Sequence, residues 1–346
     1  MTKVGILTGG GDCPGLNAVI RAATLVLADQ GVDVVGVHAG WRGMVGHDFR
    51  PLTRDIVSNL ISVGGTILGS SRTNPYKEPQ LLDRVKSRFE ELDALIAIGG
   101  EDTLGVAAKL HNDFDLPVVG VPKTIDNDLP GTDRTFGFDT AVSIATEAID
   151  RLRTTAESHN RTMVVEVMGR HAGWIAVEAG LAGGAHAVLL PEFPMSIEAV
   201  AEIISARRDR GRFCSIVVVS EGWPYTSDDP KAKKASEGDV ERDAFGHVRL
   251  GGIGEHVANA LADMTGMDTR ATVLGYTQRG GTPTSYDRLL ATRYGTLAAR
   301  LVLAKDFGKM ASLRGSEVVP APLADALGPI RTVPRELYDL TLTLVD

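Results

Sequence analysis

The chain has 346 residues, enough for two compact lobes, and its 43% hydrophobic and 23% charged residues are ordinary values for a globular protein. Its formal net charge of −8 argues against a nucleic-acid partner, since general nucleic-acid binders carry a basic excess. The sequence has no run of about 18 apolar residues, and its two cysteines, Cys13 and Cys214, stand far apart, so we expect a cytoplasmic protein with neither a membrane span nor a disulfide framework.

Short apolar runs alternate with longer helical patterns along the chain. The first part predicts strands at 4–8, 32–37, 92–98 and 118–121, and helices at 16–29, 102–110 and 141–156. The second part predicts strands at 163–167, 187–190, 216–220 and 271–274, with helices between the strands and at 257–264 and 288–304. Because the strand runs lack polar alternation, they indicate parallel sheets buried on both faces. We therefore expect an α/β fold of two lobes, each a largely parallel sheet flanked by helices.

Residues 225–250 interrupt this alternation. The segment contains KAKK, several acidic residues and few apolar ones. We interpret it as an exposed excursion from the fold and not as a domain. No linker rich in proline or serine marks a boundary elsewhere, so composition alone does not divide the chain into its lobes.

Three polar or glycine-rich segments follow predicted strands, at 9–15, 99–103 and 122–128. Since ligands bind at the carboxyl ends of parallel strands, we expect the three segments to converge at one edge. The first, GGGDCPG, lets an anion approach the backbone and the following helix N-terminus. A tight turn without a ligand explains this segment equally well, because it matches neither the Rossmann fingerprint nor a Walker A loop.

The second segment places Glu101 and Asp102 at the start of a predicted helix. Acidic residues there can serve simply as capping residues that favour the helix dipole. Beside a phosphate site they can also bind Mg²⁺, which prefers hard oxygen ligands.

The third segment, PKTIDND, is the most informative of the three. Phosphoryl transfer needs positive charge or hydrogen-bond donors for the phosphoryl oxygens, and a base for the attacking hydroxyl. Lys123 and Thr124 can supply the first requirement, and either Asp126 or Asp128 can supply the second. A solvated acidic loop with a capping role is the alternative.

Several arginines lie beside glycine-containing turns, namely Arg72, Arg161, Arg170, Arg270 and Arg279. Each alone is more often a surface residue. Arginine is also the preferred side chain for binding phosphate. Together, in a chain of net negative charge, these arginines favour a local anion site.

Five segments resemble, in order, the motifs of bacterial 6-phosphofructokinases: TGGGDCPGLNAVIR, GGEDTL, PKTIDND, VVEVMGRHAGW and ATVLGYTQRGG. PKTIDND together with VEVMGR and GYTQRGG is highly specific, whereas GGEDTL alone is weak because lipid and NAD kinases carry a similar turn. The resemblance implies a phosphoryl-donor-binding lobe at 1–137 plus 252–303. It also implies a sugar-phosphate-binding lobe at 138–251 plus 304–346.

The resemblance implies a role for individual residues. Gly11 would approach the donor phosphates, Arg72 would lie near the transferring phosphoryl group, and Glu101 would help hold Mg²⁺. Asp126 would take the proton from the 1-hydroxyl of fructose 6-phosphate. The other residues implied to bind substrate are Thr124, Ile125, Asp128, Met168, Gly169, Arg170, Glu221, Tyr276 and Arg279.

Two further arginines, Arg161 and Arg270, would reach the 6-phosphate from a neighbouring subunit. This implied role makes the protein a homo-oligomer, either a dimer or a tetramer, whose active site is shared between subunits.

The chain departs from the ATP-using pattern of the family at Asp102 and Lys123. ATP users resemble GGDGS and PGTIDND, with glycine at both positions. An aspartate fills the space that a nucleotide's α-phosphate and ribose need, and it repels an anion. One such charge pair shifts donor preference by ~1.4 kcal/mol, a tenfold effect. In the family this Asp/Lys pair accompanies pyrophosphate use; the alternative is a plain ion pair between the two residues.

The leading hypothesis is therefore Mg²⁺-dependent, reversible transfer of a phosphoryl group from pyrophosphate to fructose 6-phosphate. The main alternative is an ATP-dependent 6-phosphofructokinase. A catalytically silent subunit is a third possibility, but it would be expected to lack the base or the sugar-phosphate arginines. Sedoheptulose 7-phosphate also fits as an acceptor.

Overall fold

A computed structural model describes residues 2–224 and 251–344, so the excursion expected at 225–250 lies outside the described residues. Two sheets organise the described chain. The larger has strand order β11-β10-β5-β4-β1-β2-β3. Its strands are β1 (Lys3–Thr8), β2 (Asp33–Val37), β3 (Phe49–Pro51), β4 (Ala94–Gly99), β5 (Val118–Pro122), β10 (Lys309–Arg314) and β11 (Glu317–Pro322). The strands pair in parallel except for β3 and β11, which run antiparallel to their neighbours.

The smaller sheet is wholly parallel and has strand order β7-β8-β6-β9. Its strands are β6 (Thr162–Val167), β7 (Ala187–Leu189), β8 (Ser215–Ser220) and β9 (Thr269–Val273). The expected α/β architecture with two largely parallel sheets is therefore confirmed.

The helices flank these sheets. In the part of the chain before residue 225 they are α1 (Leu16–Asp29), α2 (Trp41–Gly46), α3 (Arg54–Val57), α4 (Pro79–Ser87), α5 (Glu101–Phe114), α6 (Phe138–His159), α7 (Trp174–Ala182) and α8 (Ile197–Asp209). After residue 250 they are α9 (Ile253–Thr265), α10 (Ser285–Leu303) and α11 (Arg335–Thr343). Among the described residues, no helix combines the length and apolar character that a membrane crossing requires.

The core is continuous between the two sheets. Val4 and Ile96 of the first sheet, helices α1, α6 and α10, and Val165 of the second sheet belong to one buried apolar cluster. The helices α1 and α10 pack closely, since a Cβ added at Gly295 would lie 2.5 Å from the carbonyl oxygen of Val19. One buried apolar cluster therefore joins the two sheets through these helices.

The expected division of the chain into a donor lobe and a sugar-phosphate lobe stays a prediction. If each lobe contains one sheet, three strands lie in the sheet of the opposite lobe. β9 lies in the range assigned to the donor lobe, yet it pairs with β6 of the four-stranded sheet. β10 and β11 lie in the range assigned to the sugar-phosphate lobe, yet β10 pairs with β5. These strands lie where their main-chain hydrogen bonds can be made. β10 pairs with the otherwise open edge of β5, and β9 pairs with the otherwise open edge of β6.

Candidate active site

The three segments singled out in the sequence follow β1, β4 and β5. β4 lies between the other two strands and pairs with both in parallel. The carboxyl ends of the strands therefore meet at one edge of the larger sheet. We call residues 9–15 the donor loop and residues 122–128 the base loop.

Thr103, in the first turn of α5, fixes how closely these segments approach one another. Its side chain is 3% exposed. A Cβ added at Gly9 would lie 2.3 Å from the Thr103 Oγ1, and one added at Gly99 would lie 2.3 Å from the Thr103 Cβ. Only glycine fits at both positions, so the donor loop and the start of α5 are held in contact around one side chain.

Lys123 joins the base loop to both glycine segments. Its backbone N–H donates to the Gly99 carbonyl over 2.9 Å, and its ammonium donates to the Gly11 carbonyl. A Cβ added at Gly10 would lie 3.5 Å from the Lys123 Nζ. The side chain is 3% exposed, and this burial lowers the pKa of Lys123. A buried ammonium therefore stands directly at the donor loop.

The segment that carries Arg72 is bonded to the same loop. The Gly10 N–H donates to the Ser71 carbonyl over 3.3 Å, and the Ser70 hydroxyl donates to the Gly10 carbonyl over 2.5 Å. Arg72 is the next residue and is exposed. The structure thus brings the segment that carries Arg72 into contact with the donor loop, next to Gly11.

Arg279 also reaches the donor loop. Its Nη1 donates to the Asp12 carbonyl over 3.3 Å, and a Cβ added at Gly11 would lie 2.9 Å from the same nitrogen. Its charge also acts to lower the pKa of Glu221. Arg279 therefore stands between the donor loop and the carboxylates expected around the sugar phosphate.

Asp126 has the surroundings of a proton acceptor. It is 8% exposed, and its Oδ1 is buried with no hydrogen-bond partner among the described residues. Its backbone N–H donates to the Thr124 Oγ1 over 3.0 Å, which holds the turn, while Ile125 is fully buried in the core. A buried carboxylate oxygen without a partner is costly unless a ligand group completes it.

Two further carboxyl groups surround Asp126. Burial, followed by the charge of Asp126, raises the pKa of Glu221 to about 7. The same two causes in the same order raise the pKa of Asp128 to about 7. Burial and the charge of Asp126 thus favour the protonated forms of Glu221 and Asp128 near neutral pH.

Glu221 is held by the loop that follows β6. The Arg170 N–H donates to the Glu221 Oε1 over 3.2 Å, and Arg170 has φ +53, next to Gly169 with φ +145. A Cβ added at Gly222 would lie 1.6 Å from the Arg170 carbonyl oxygen. We call residues 168–170 and 221–222 the sugar loops. They follow the paired strands β6 and β8, so they meet at the carboxyl edge of the smaller sheet.

Arg161 and Arg270 lie away from this edge. Arg161 precedes β6, and Arg270 pairs with Met163 near the amino end of that strand. Both arginines bond to Asp268, Arg161 through Nε over 2.5 Å and Arg270 through Nη2 over 3.0 Å. The length of β6 separates them from the sugar loops by about 20 Å.

Tyr276 and Met168, both predicted to bind the sugar phosphate, differ in solvent exposure. Tyr276 lies in the 3-10 turn Gly275–Arg279 and is 69% exposed. Met168 is partly buried against the core cluster. Within this chain the structure therefore does not enclose Tyr276, whereas Met168 lies directly before Gly169 in the sugar loops.

The carboxylates at this edge suit a hard divalent cation. Glu101 is exposed in the first turn of α5, and its charge acts on Asp128. In the described part of the chain, no group of three or more His, Cys, Asp or Glu side chains could hold a metal ion by itself. Mg²⁺ is commonly bound through one or two carboxylates and the oxygens of a phosphate substrate, which fits the residues present.

Comparison with known proteins shows the family to which the chain belongs. The profile described as phosphofructokinase matches residues 3–302, which include the donor loop, the base loop and the sugar loops. The chain belongs to the phosphofructokinase family. The resemblance inferred from the five motifs is thereby confirmed.

Relatives of this phosphofructokinase carry both donor names. It is 57% identical over 340 residues to a pyrophosphate–fructose 6-phosphate 1-phosphotransferase of Amycolatopsis methanolica, covering 97% of this chain and 98% of that protein. A protein of the same name from Streptomyces coelicolor is 53% identical, with the same coverage of both chains. The ATP-dependent 6-phosphofructokinase 3 of Streptomyces coelicolor is 48% identical, covering 97% of this chain and 98% of that protein.

A solved structure shows the same fold. Pichia pastoris phosphofructokinase in the T-state superposes with a TM-score of 0.81 at 30% identity. The match covers all of this phosphofructokinase but only 38% of the longer Pichia chain.

Two residues that support the base loop were not anticipated from the sequence. Thr135 donates through Oγ1 to the Thr124 carbonyl over 2.8 Å, and Arg331 donates through Nη1 to the Asn127 carbonyl over 3.1 Å. Thr135 is close enough in sequence for a turn pattern to have suggested it. Arg331 has no local signal, because its segment resembles an ordinary connection between elements.

Proposed function

We propose that this phosphofructokinase transfers a phosphoryl group from pyrophosphate to the 1-hydroxyl of fructose 6-phosphate, giving fructose 1,6-bisphosphate and phosphate. The observation that carries the proposal is the buried ammonium of Lys123 at the Gly11 carbonyl. A cation removed from water binds a compact, highly charged donor more strongly than the same cation at the surface. The relatives named for pyrophosphate support the same donor.

Asp102 contributes to donor choice by occupying space. It lies partly buried in the first turn of α5, where the ATP-using pattern has glycine. A carboxylate there repels the additional phosphate of a nucleotide and narrows the room for a ribose. Asp102 rejects ATP, whereas Lys123 favours pyrophosphate, so the two residues act together on specificity.

The reaction follows from the positions of the charged groups. The unpartnered Oδ1 of Asp126 accepts the proton of the sugar 1-hydroxyl, whose oxygen then bonds to the transferred phosphorus. The bond from that phosphorus to the bridging oxygen breaks, and phosphate leaves. Lys123, Arg72 and the Thr124 hydroxyl stabilise the charge on the phosphoryl oxygens, while Gly11 lets them approach the backbone.

The sugar phosphate lies against the sugar loops. Gly169 and Arg170 present backbone and guanidinium groups, and Glu221 bonds a sugar hydroxyl. Met168, Asp128, Ile125, Arg279 and Tyr276 complete the surroundings in our assignment. The donor then belongs to the larger sheet and the sugar phosphate to the smaller one.

Arg161 and Arg270 act on a neighbouring subunit. They lie at the amino end of the smaller sheet, about 20 Å from the sugar loops of their own chain. Arg161, directly before β6, and Arg270, on the edge strand β9, both bond to Asp268. Two arginines held together in this way suit the 6-phosphate of a sugar bound to the next copy. We therefore propose a homo-oligomer, a dimer or a tetramer, with composite active sites.

Mg²⁺ would neutralise oxygens of pyrophosphate when bound, and Glu101 would help hold it. The exchange of a phosphoanhydride for a phosphate ester, without a nucleotide, is close to balanced. We accordingly propose that the enzyme serves both glycolysis and gluconeogenesis. We also propose a cytoplasmic location, which suits an enzyme of these pathways.

A coupled assay with each donor tests the proposal. We expect strong turnover with pyrophosphate and little with ATP, whereas strong turnover with ATP and none with pyrophosphate would refute the donor assignment. The ATP-dependent alternative is supported by the 48%-identical relative of that name.

Variants separate charge from space at the donor site. Lys123→Met keeps most of the volume and removes the ammonium, so pyrophosphate turnover should fall at least tenfold without any gain with ATP. Asp102→Gly combined with Lys123→Gly removes both features and should lose pyrophosphate turnover. If both activities survive the double change unaltered, these residues do not choose the donor.

A further inference from the structure

The base loop is bonded to residues 328–334, a segment that is distant in sequence and precedes α11. The Arg331 N–H donates to the Asp128 carbonyl over 2.7 Å. The Arg331 Nη1 donates to the Asn127 carbonyl over 3.1 Å. One residue therefore satisfies two consecutive carbonyls directly after Asp126.

The other side of Arg331 contacts the smaller sheet's half of the site. Its guanidinium carbon lies 4.2 Å from the ring centroid of Trp174, and the Trp174 Nε1 donates to the Arg331 carbonyl over 2.9 Å. Trp174 is the first residue of α7, a few positions after Gly169 and Arg170 of the sugar loops. Arg331 thus connects the loop that carries the base to the loop expected to hold the sugar phosphate.

The base loop needs such support because its conformation is unusual. Asn127 has φ +52, a left-handed value that is uncommon outside glycine. Its Oδ1 accepts from the Thr135 N–H over 3.1 Å, and the Thr135 hydroxyl donates to the Thr124 carbonyl. These bonds fix the turn internally but do not fix its position relative to the smaller sheet.

We propose that Arg331 is a positioning residue that sets the distance between the Asp126 carboxylate and the sugar loops. The inference rests on the proposed function, since it concerns the same reaction. A displacement of about 1 Å between base and acceptor lowers turnover by about 10²-fold when the reacting groups must be aligned. The same displacement changes binding of the donor little, because Arg331 bonds to the base loop only at its far end, through the Asn127 and Asp128 carbonyls. Lys123, at the near end, is held separately by its bond to the Gly99 carbonyl.

A purely structural role for the 328–344 region is the competing explanation, and Arg335 provides a matched control for it. Its guanidinium carbon lies 5.5 Å from the Phe193 ring centroid and 5.9 Å from that of Tyr338, and it pairs with Asp339. Arg335, the first residue of α11, is thus a second arginine near aromatic rings in the same region, and its contacts are with residues other than those of the base loop.

The experiment compares Arg331→Met, Arg331→Lys and Arg335→Met in the full-length chain, by kcat, by KM for each substrate and by thermal unfolding. Arg331→Met should lower kcat at least 30-fold while KM for pyrophosphate stays within about twofold. Arg331→Lys, which keeps a donor for the Asn127 carbonyl, should recover at least fivefold over the Met variant. Arg335→Met should retain kcat within twofold.

Three results would overturn the proposal: kcat of Arg331→Met within threefold of wild type, equal losses in Arg331→Met and Arg335→Met, or no recovery with lysine. Should Arg331→Met fail to fold, Trp174→Phe keeps a ring under the guanidinium and removes one bond. It should then lower kcat about threefold with KM for pyrophosphate unchanged, and an unchanged kcat would count against the proposal.

Failure of the proposed function is separable from failure of this inference. The wild type and Arg335→Met report the donor before any comparison is made. If ATP proves to be the donor, the same series measured with ATP decides the role of Arg331.

Discussion

Glu221→Gln should make the protein more stable at pH 8 and less active. Glu221 is largely buried beside Asp126, and burial is the main reason that its pKa rises from 4.5 to about 7. Glutamine keeps an oxygen that can accept from the Arg170 N–H, as the Glu221 Oε1 does now. The substitution therefore removes the ionisation while preserving the local bond.

The sign follows from the two pKa values of Glu221. Between pH 4.5 and about 7 the folded state keeps a proton that the unfolded state releases, so the stability that this proton provides is lost as the pH rises. The full shift corresponds to about 3 kcal/mol above pH 7. Because burial of the neutral glutamine amide still costs part of this free energy, we expect Glu221→Gln to gain about 2 kcal/mol at pH 8 and little at pH 4.5.

Thermal unfolding at pH 4.5, 6, 7 and 8 measures this difference. A gain of about 2 kcal/mol corresponds to about 3 °C in Tm for a chain of this size. Glu147→Gln is the control, because Glu147 is 64% exposed in a surface pair with Arg151 and should show no comparable dependence on pH. Turnover should fall in Glu221→Gln because the sugar hydroxyl loses a charged partner.

The reasoning is wrong if the Tm gain of Glu221→Gln is the same at every pH, or if the variant is less stable at pH 8. A constant gain would come from packing. A loss would show that the ionised Glu221 is stabilised in the folded state.

Three further predictions concern the base, a close contact and a thiol. Asp126→Ala should lower kcat by about 10³-fold while calorimetry still detects binding of fructose 6-phosphate, and retained turnover would move the base elsewhere. Gly222→Ala should lose at least about 3 kcal/mol in denaturant unfolding, since its Cβ would lie 1.6 Å from the Arg170 carbonyl oxygen, whereas Gly46→Ala, with nothing within 4 Å, should lose less than 1 kcal/mol. Burial raises the pKa of Cys13 to about 12, so a thiol reagent at pH 8 should label Cys13 only as fast as the protein unfolds, and rapid labelling would contradict its burial.

The sequence was most informative where apolar runs and glycine turns coincide. The helix expected at 16–29 has those bounds, and the strands expected at 4–8 and 118–121 differ from the observed ones by one residue. Fully apolar strands such as β4 have one stable environment, which is burial on both faces. The same reasoning missed β10 and β11, because KMASLR and the proline-containing EVVPAP are poor strand patterns that only their partners stabilise.

The residues of the site likewise fall into those that the sequence predicted and those that it missed. Lys123 and Asp126 stand in one compact motif at a strand end, so topology alone brings them to the donor loop. Arg331 was missed because its partners, Asn127 and Trp174, are far from it in sequence. A contact made by one side chain across such a distance leaves no periodicity and no spacing that could reveal it.

The pairing of β5 with β10 has a consequence for how the chain is made. Gly120 pairs with Met310, so one edge of β5 has no strand neighbour until nearly the whole chain has been synthesised. During translation this open edge is a template for pairing with other nascent chains. Such long-range pairing also slows folding, because a large loop must close before the contact forms. Yield in a cell should therefore depend on chaperones that cover β5 until residues 309–322 emerge.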